Sequence, residues 1–256
     1  MGDLIDGDTT LFGGVEGTER DGGVETMLPD VHVLVTGYGP FLKSHPENPS
    51  WSIASSLPSH LKPTPTHPTP IHIHTPESAL PVAWRAIANA VPGLLAPAPP
   101  ASPPDIVLHM GLAAGRTCWA IETNALRDGF DGRDVYGEQW SDADMTALIG
   151  TDAPEKLTPT FDCQDVCKRW QAEVRGAGLA DRIDAQISDD VGTYLCAFVY
   201  YLSLHHFWKA GGERPVVFFH VPRQAGEDVE AGVGATVGLI RSLVESRRVQ
   251  RDRRRD

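Results

Sequence analysis

Asp189-Asp190-Val191-Gly192-Thr193-Tyr194-Leu195-Cys196-Ala197-Phe198-Val199-Tyr200-Tyr201 joins a glycine-bearing turn to a cysteine and then to an apolar run ending at Leu204-His205-His206. After the turn, Leu195, Phe198, Val199 and Leu202 recur at three- and four-residue intervals, the period of a helix with one buried face. Thr193 is the candidate N-cap, because its hydroxyl can accept from a backbone N–H further on. That puts Cys196 in the first turn of a buried helix, where unpaired N–H groups and the helix dipole favour a thiolate. A cysteine so placed is a candidate nucleophile, and it needs a base.

The candidate base lies downstream. Pro215-Val216-Val217-Phe218-Phe219-His220-Val221-Pro222 is a short β-branched and aromatic run bounded by Gly211-Gly212 and Pro222, and it reads as a buried strand. His220 stands at its end, where ligands and catalysis gather in open α/β sheets. Each residue also has a bland reading. A lone buried cysteine is more often a small apolar filler, and a histidine at a strand end is more often simply hydrogen-bonded. The residues alone raise only the suspicion of a Cys-His pair.

Working outward, Val31 to Thr36 and Asp105 to Leu112 are apolar runs typical of strands covered on both faces. The first runs into Gly37-Tyr38-Gly39-Pro40-Phe41, a tight loop that sets Tyr38 and Phe41 at the mouth of a sheet. Asn48 or Ser50 then caps a helix that carries Trp51, Ile53, Ala54 and Leu57 on one face. Ile71-His72-Ile73-His74 is a short strand whose histidines read as an exposed face or, less simply, as metal ligands. Helices are predicted over 79–95 and 229–244, with Cys167 and Trp170 on the apolar face of another. The Pro-rich segments 58–70 and 92–104 predict loops. The polar stretch 127–162 predicts an excursion over the surface. Glu122 sits among apolar neighbours, and its context-free reading is a surface carboxylate.

The 256-residue length suits one α/β domain over 29–246, and an acidic, Gly-rich flexible leader is expected over 1–28. The Arg-rich end, 247–256, holds six arginines and two aspartates and reads as a solvated tail. A formal charge of −12 opposes general nucleic-acid binding. No signal peptide is expected from residues 1–28, and no stretch approaches the roughly 20 apolar residues of a membrane span. With only four cysteines, a reducing, cytoplasmic setting with free thiols is the expectation. The sequence carries no indication of oligomeric state.

Four blocks, in order, resemble the pyroglutamyl peptidase I (pyrrolidone carboxyl peptidase) family of cysteine peptidases. They are Val33 through Phe41 with Glu47-Asn48-Pro49-Ser50-Trp51, His109 through Arg116 with Ile121-Glu122, Ser188 through Cys196, and Phe219-His220-Val221-Pro222. The resemblance implies a three-layer α/β/α sandwich around a mixed, mostly parallel sheet. It also implies removal of N-terminal pyroglutamate from peptides without metal or cofactor. Cys196 would attack as a thiolate and form an acyl-enzyme, His220 would move the proton, and Glu122 would orient the imidazole. Backbone N–H groups at the helix start would bind the oxyanion, a donor of that kind being worth about 2.7–4 kcal/mol. Tyr38, Phe41, Tyr194 and Leu195 would line an apolar pocket for the uncharged lactam, with Asn48 holding the loop. The chain departs from the family's pattern at Tyr38, where the family has Phe, and at Val191, Arg223 and the residues after Glu122. Two other readings follow: a weakly active or inactive binder of blocked N-termini on the same fold, or a hydrolase of another small acyl amide.

Overall fold

The computed structural model describes residues 28–41, 47–99 and 102–254. The leader expected over 1–28 therefore lies, but for Leu28, outside the described residues. In chain order the elements are β1 (Val31–Thr36), α1 (Pro49–Ala54), β2 (His60–Leu61), β3 (Ile71–His74) and α2 (Trp84–Leu95). Then come β4 (Ile106–Leu112), β5 (Trp119–Glu122), β6 (Ala125–Leu126), α3 (Asp142–Ile149) and β7 (Lys156–Leu157). The rest are α4 (Cys163–Gly176), β8 (Ala185–Ser188), α5 (Leu195–Lys209), β9 (Val216–Val221) and α6 (Val229–Arg253).

Seven strands form one sheet in the order β2-β3-β1-β4-β9-β5-β8. The pairs β1–β3, β1–β4, β4–β9 and β5–β8 are parallel, and β2–β3 and β5–β9 are antiparallel. Successive strand residues alternate faces. Val33, Val35, Leu108, Met110, Val217 and Phe219 pack with residues of α1, α4 and α6 in one core. Leu34, Val107, Val216 and Phe218 pack with α2 and α5 in the other. The architecture is the expected α/β/α sandwich with a mixed, mostly parallel sheet.

Several boundaries differ from expectation, each for a tertiary reason. Helix α2 starts at Trp84 rather than 79, where the carboxylate of the distant Asp134 accepts the Trp84 N–H at 3.1 Å. It ends at Leu95 as expected, and so runs through Pro92, from which the overlapping loop was read. Segment 58–70 contributes the short edge strand β2. Stretch 127–162 is no simple excursion: α3, with its Ser141–Asp144 capping box, and the β6–β7 pair lie in or beside it, and Trp140 and Met145 are buried. The Arg-rich end is not a free tail as far as it is described. Helix α6 continues to Arg253, and Glu213 accepts bonds from Arg247, Arg251 and Arg254 at 3.0–3.3 Å. No helix among the described residues is long and apolar enough to cross a membrane.

Candidate active site

The alternation of β1, β4 and β9 turns Thr36, His109, Gly111, Phe218 and His220 toward α5. His220 lies at the carboxyl end of β9 and pairs in register with Gly111 of β4. A Cβ at Gly111 would stand 2.7 Å from the Phe218 ring and 3.1 Å from Cys196 Sγ. The missing side chain is thus the seat on which the thiol rests, one strand away from the imidazole.

Glu122 reaches the same place because β5 enters antiparallel to β9. The register sets Ala120 opposite His220 and Glu122 opposite Phe218, so Glu122 is the diagonal neighbour of His220 on one face. Its Oε1 lies 2.7 Å from His220 Nδ1, leaving Nε2 as the free nitrogen for proton exchange. The surface reading of Glu122 is overturned, since the residue is 0% exposed. Arg116, on the turn between β4 and β5, donates Nη1 to the same Oε1 at 2.6 Å and Nη2 to the Asp190 carbonyl. Burial alone would raise the Glu122 carboxyl, but His220 first, then Ser188 and Arg116, outweigh it and hold the group below its ordinary value. Oε2 is buried with no partner in bonding geometry. Ser188 lies opposite in register, and its hydroxyl, which accepts the Asp190 N–H at 3.1 Å, keeps a proton to offer the carboxylate.

Cys196 is the second residue of α5, as its first-turn placement predicts. Thr193 is not the cap. Tyr194 occupies the N-cap position and makes no side-chain cap bond, while the Thr193 carbonyl accepts the Asp131 N–H at 2.7 Å. The turn is set instead by Gly192, at φ +81°, whose N–H is held by Asp190 Oδ1 at 3.1 Å. The first-turn N–H groups therefore keep no side-chain partner, the condition an oxyanion site requires. The helix dipole's pull toward a thiolate meets an opposing effect. Burial, with the Glu122 charge added and Arg116 opposing, pushes the Cys196 thiol up to about 12. Among the described residues no hydrogen bond joins Sγ to the His220 ring.

Tyr38, Phe41, Tyr194 and Leu195, together with Asn48, line a cavity beside Cys196. Val82, Gly111 and Leu112 complete it and were not anticipated. Only Gly111 carried a signal, as a glycine inside a strand. The cavity measures about 20 Å³, room for about one water. Asn48 holds the loop as expected: it caps α1 through Ser50 N at 3.1 Å and donates to the Gly39 carbonyl at 3.0 Å. The Tyr38 hydroxyl is buried with no partner in bonding geometry, and the Thr36 hydroxyl that bonds His109 at 2.7 Å is the group nearest to serving it. A buried hydroxyl without a well-formed bond carries an uncompensated desolvation cost. Tyr38→Phe should therefore stabilise the fold by about 1 kcal/mol, read as a higher urea midpoint; a lower midpoint would mean the phenol is held by Thr36.

The histidines of β3 stack with their neighbours, His72 against His32 and His60, and His74 against His32, at ring separations of 4.7–5.2 Å. No group of three or more His, Cys, Asp or Glu side chains among the described residues is arranged to hold a metal ion.

Residues 31–239 match the family model for pyroglutamyl peptidase. The chain is 32% identical over 196 residues to a pyrrolidone-carboxylate peptidase of Deinococcus radiodurans, covering 75% of this chain and 78% of that one. It is 29% identical over 198 residues to pyroglutamyl-peptidase 1 of the rat, covering 76% and 80%. A crystal structure of pyrrolidone carboxyl peptidase from Pyrococcus furiosus is similar at a TM-score of 0.65 and 27% identity, over 84% of this chain and 99% of that one. With its matching fold and more than half its length under one family model, this chain belongs to the pyroglutamyl peptidase family.

Proposed function

We propose that the protein is a cysteine peptidase that removes pyroglutamate from the N-terminus of peptides, with Cys196, His220 and Glu122 as its catalytic residues. Family membership supports the reaction class. For the residues, the observation that carries the reading is the buried 2.7 Å bond from Glu122 to His220 beside a cysteine seated on Gly111 at a helix start. In the reaction, His220 Nε2 takes the thiol proton as Sγ attacks the carbonyl that follows the lactam ring. The tetrahedral oxyanion is met by first-turn N–H groups of α5. Glu122 balances the charge gained by the imidazole, which then gives its proton to the departing amine and leaves an acyl-enzyme for water to cleave.

Tyr38, Phe41, Tyr194 and Leu195 line the ring pocket in this reading; an uncharged lactam suits their apolar surface, and admitting it requires these walls to part from the cavity of about 20 Å³ they now enclose. The free cysteines, Cys118, Cys163, Cys167 and Cys196, fit work in the reducing cytoplasm, without a metal or nucleic-acid partner. The test is release of a fluorescent amine from a pyroglutamyl amide, with prolyl and glutamyl amides as controls. Turnover confined to the pyroglutamyl compound, abolished by iodoacetamide and untouched by EDTA, is expected. No release from folded, reduced protein would sink the proposal.

A further inference from the structure

We infer that Arg116 is a positioning residue: by holding Glu122 and the Asp190 carbonyl together, it joins the acid and the nucleophile loop into one unit and shields Cys196 from the carboxylate's charge. The inference rests on the catalytic roles proposed above. Its geometry is a fork. One guanidinium nitrogen lies 2.6 Å from Glu122 Oε1, and the other bonds to the carbonyl of Asp190. Asp190 opens the turn that delivers Cys196, its side chain fixing Gly192 at 3.1 Å. Asn124 Nδ2 holds the adjacent Asp189 carbonyl at 3.2 Å, and Thr123 N binds the Ser188 carbonyl at 2.8 Å. Those two brace the loop without charge; Arg116 is the cation in the set.

The charge matters because Glu122 is completely buried and Arg116 is one-quarter exposed, with a side-chain accessibility of 26%. An uncompensated carboxylate that close to the thiol opposes its ionisation. The other ionisable groups facing the thiol are Tyr38 and Tyr194 of the pocket wall and His220 across the strand. Of these groups, Arg116 is the one that carries a permanent positive charge. The same Glu122 oxygen serves both Arg116 and His220. Arg116 therefore also fixes the carboxylate plane from which the imidazole takes its orientation. A lysine can supply the charge, but a single ammonium cannot reproduce a planar fork with two acceptors.

Two variants of the full chain, Arg116→Lys and Arg116→Met, separate charge from bracing. The readouts are the rate of Cys196 alkylation by iodoacetamide at pH 8, followed by mass on the Cys196 peptide, kcat/KM for the pyroglutamyl amide, and melting temperature. In Arg116→Met the alkylation rate should fall by about 10-fold, and kcat/KM by about 10- to 100-fold. Arg116→Lys should return the alkylation rate close to wild type while kcat/KM stays low. Wild-type alkylation and kcat/KM in both variants, with only the melting temperature reduced, would overturn the inference. So would equal falls in alkylation rate for Lys and Met. If Arg116→Met does not fold, the kcat/KM of Arg116→Lys decides the bracing role. Alkylation needs no turnover, so this pattern of alkylation rates in protein that releases no amine would refute the peptidase reading and leave the Arg116 inference standing.

Discussion

Cys196→Ala should release amine from a pyroglutamyl amide at less than about one ten-thousandth of the wild-type kcat. The size of the loss follows from the site. The sulfur is the only candidate nucleophile on the Gly111 seat, and an alanine methyl offers no lone pair to the carbonyl. His220→Gln should lose a comparable factor, because burial raises the thiol's pKa and the imidazole is the base proposed to take its proton. Glu122→Gln should cost about 10⁴ in kcat by presenting the imidazole in the wrong tautomer. The double variant Cys196→Ala/His220→Gln should be no worse than either single one, since the residues act as a unit. Cys196→Ala also removes bulk without adding any. It should stay folded and still show a rise in melting temperature with a pyroglutamyl peptide. Equal amine release by wild type and Cys196→Ala would refute the assigned nucleophile. Binding without turnover in the wild type would instead identify a binding protein on the peptidase fold.

What was legible in the sequence was local. The three- and four-residue spacing of Leu195, Phe198, Val199 and Leu202 marks a buried helix, and the β-branched run before His220 marks a buried strand; both are present. The pairing of His220 with Glu122 was implied by the family resemblance alone: it spans 98 residues and depends on β5 entering against the direction of β9, which no local pattern encodes. The start of α2 is decided by Asp134, fifty positions away, so propensity placed it too early. The environment of the thiol was illegible for a related reason. A helix dipole can be read from position, whereas desolvation is a property of everything packed around the sulfur. Arg116, though it closes one of the blocks that carry the resemblance, had no role assigned, because an arginine after a glycine turn looks like any solvated loop residue until its two acceptors are brought to it.

Acid should unfold this protein through His109 before its carboxylates are all titrated. The residue is 0% exposed, with Nδ1 at 2.7 Å from Thr36 Oγ1 and Nε2 at 2.8 Å from Ser203 Oγ. Burial lowers its pKa from 6.5 to about 3. The folded chain therefore binds this proton less readily than the unfolded one. Its stabilising contribution is fully present above pH 6.5 and drains away as the pH falls toward about 3. Within that window the loss runs at about 1.4 kcal/mol per pH unit and totals several kcal/mol, a large share of an ordinary folding free energy. His74, His205 and His206 are shifted the same way, chiefly by burial, and add smaller losses below pH 6.5. His109→Gln isolates the main contribution, because an amide can keep hydrogen bonds to both hydroxyls but does not titrate. Urea unfolding at pH 7 and pH 5 should show the wild type losing about 2 kcal/mol more than His109→Gln between the two. Parallel losses would mean that His109 takes up its proton inside the folded protein, and that the Thr36–His109–Ser203 chain opens to admit it.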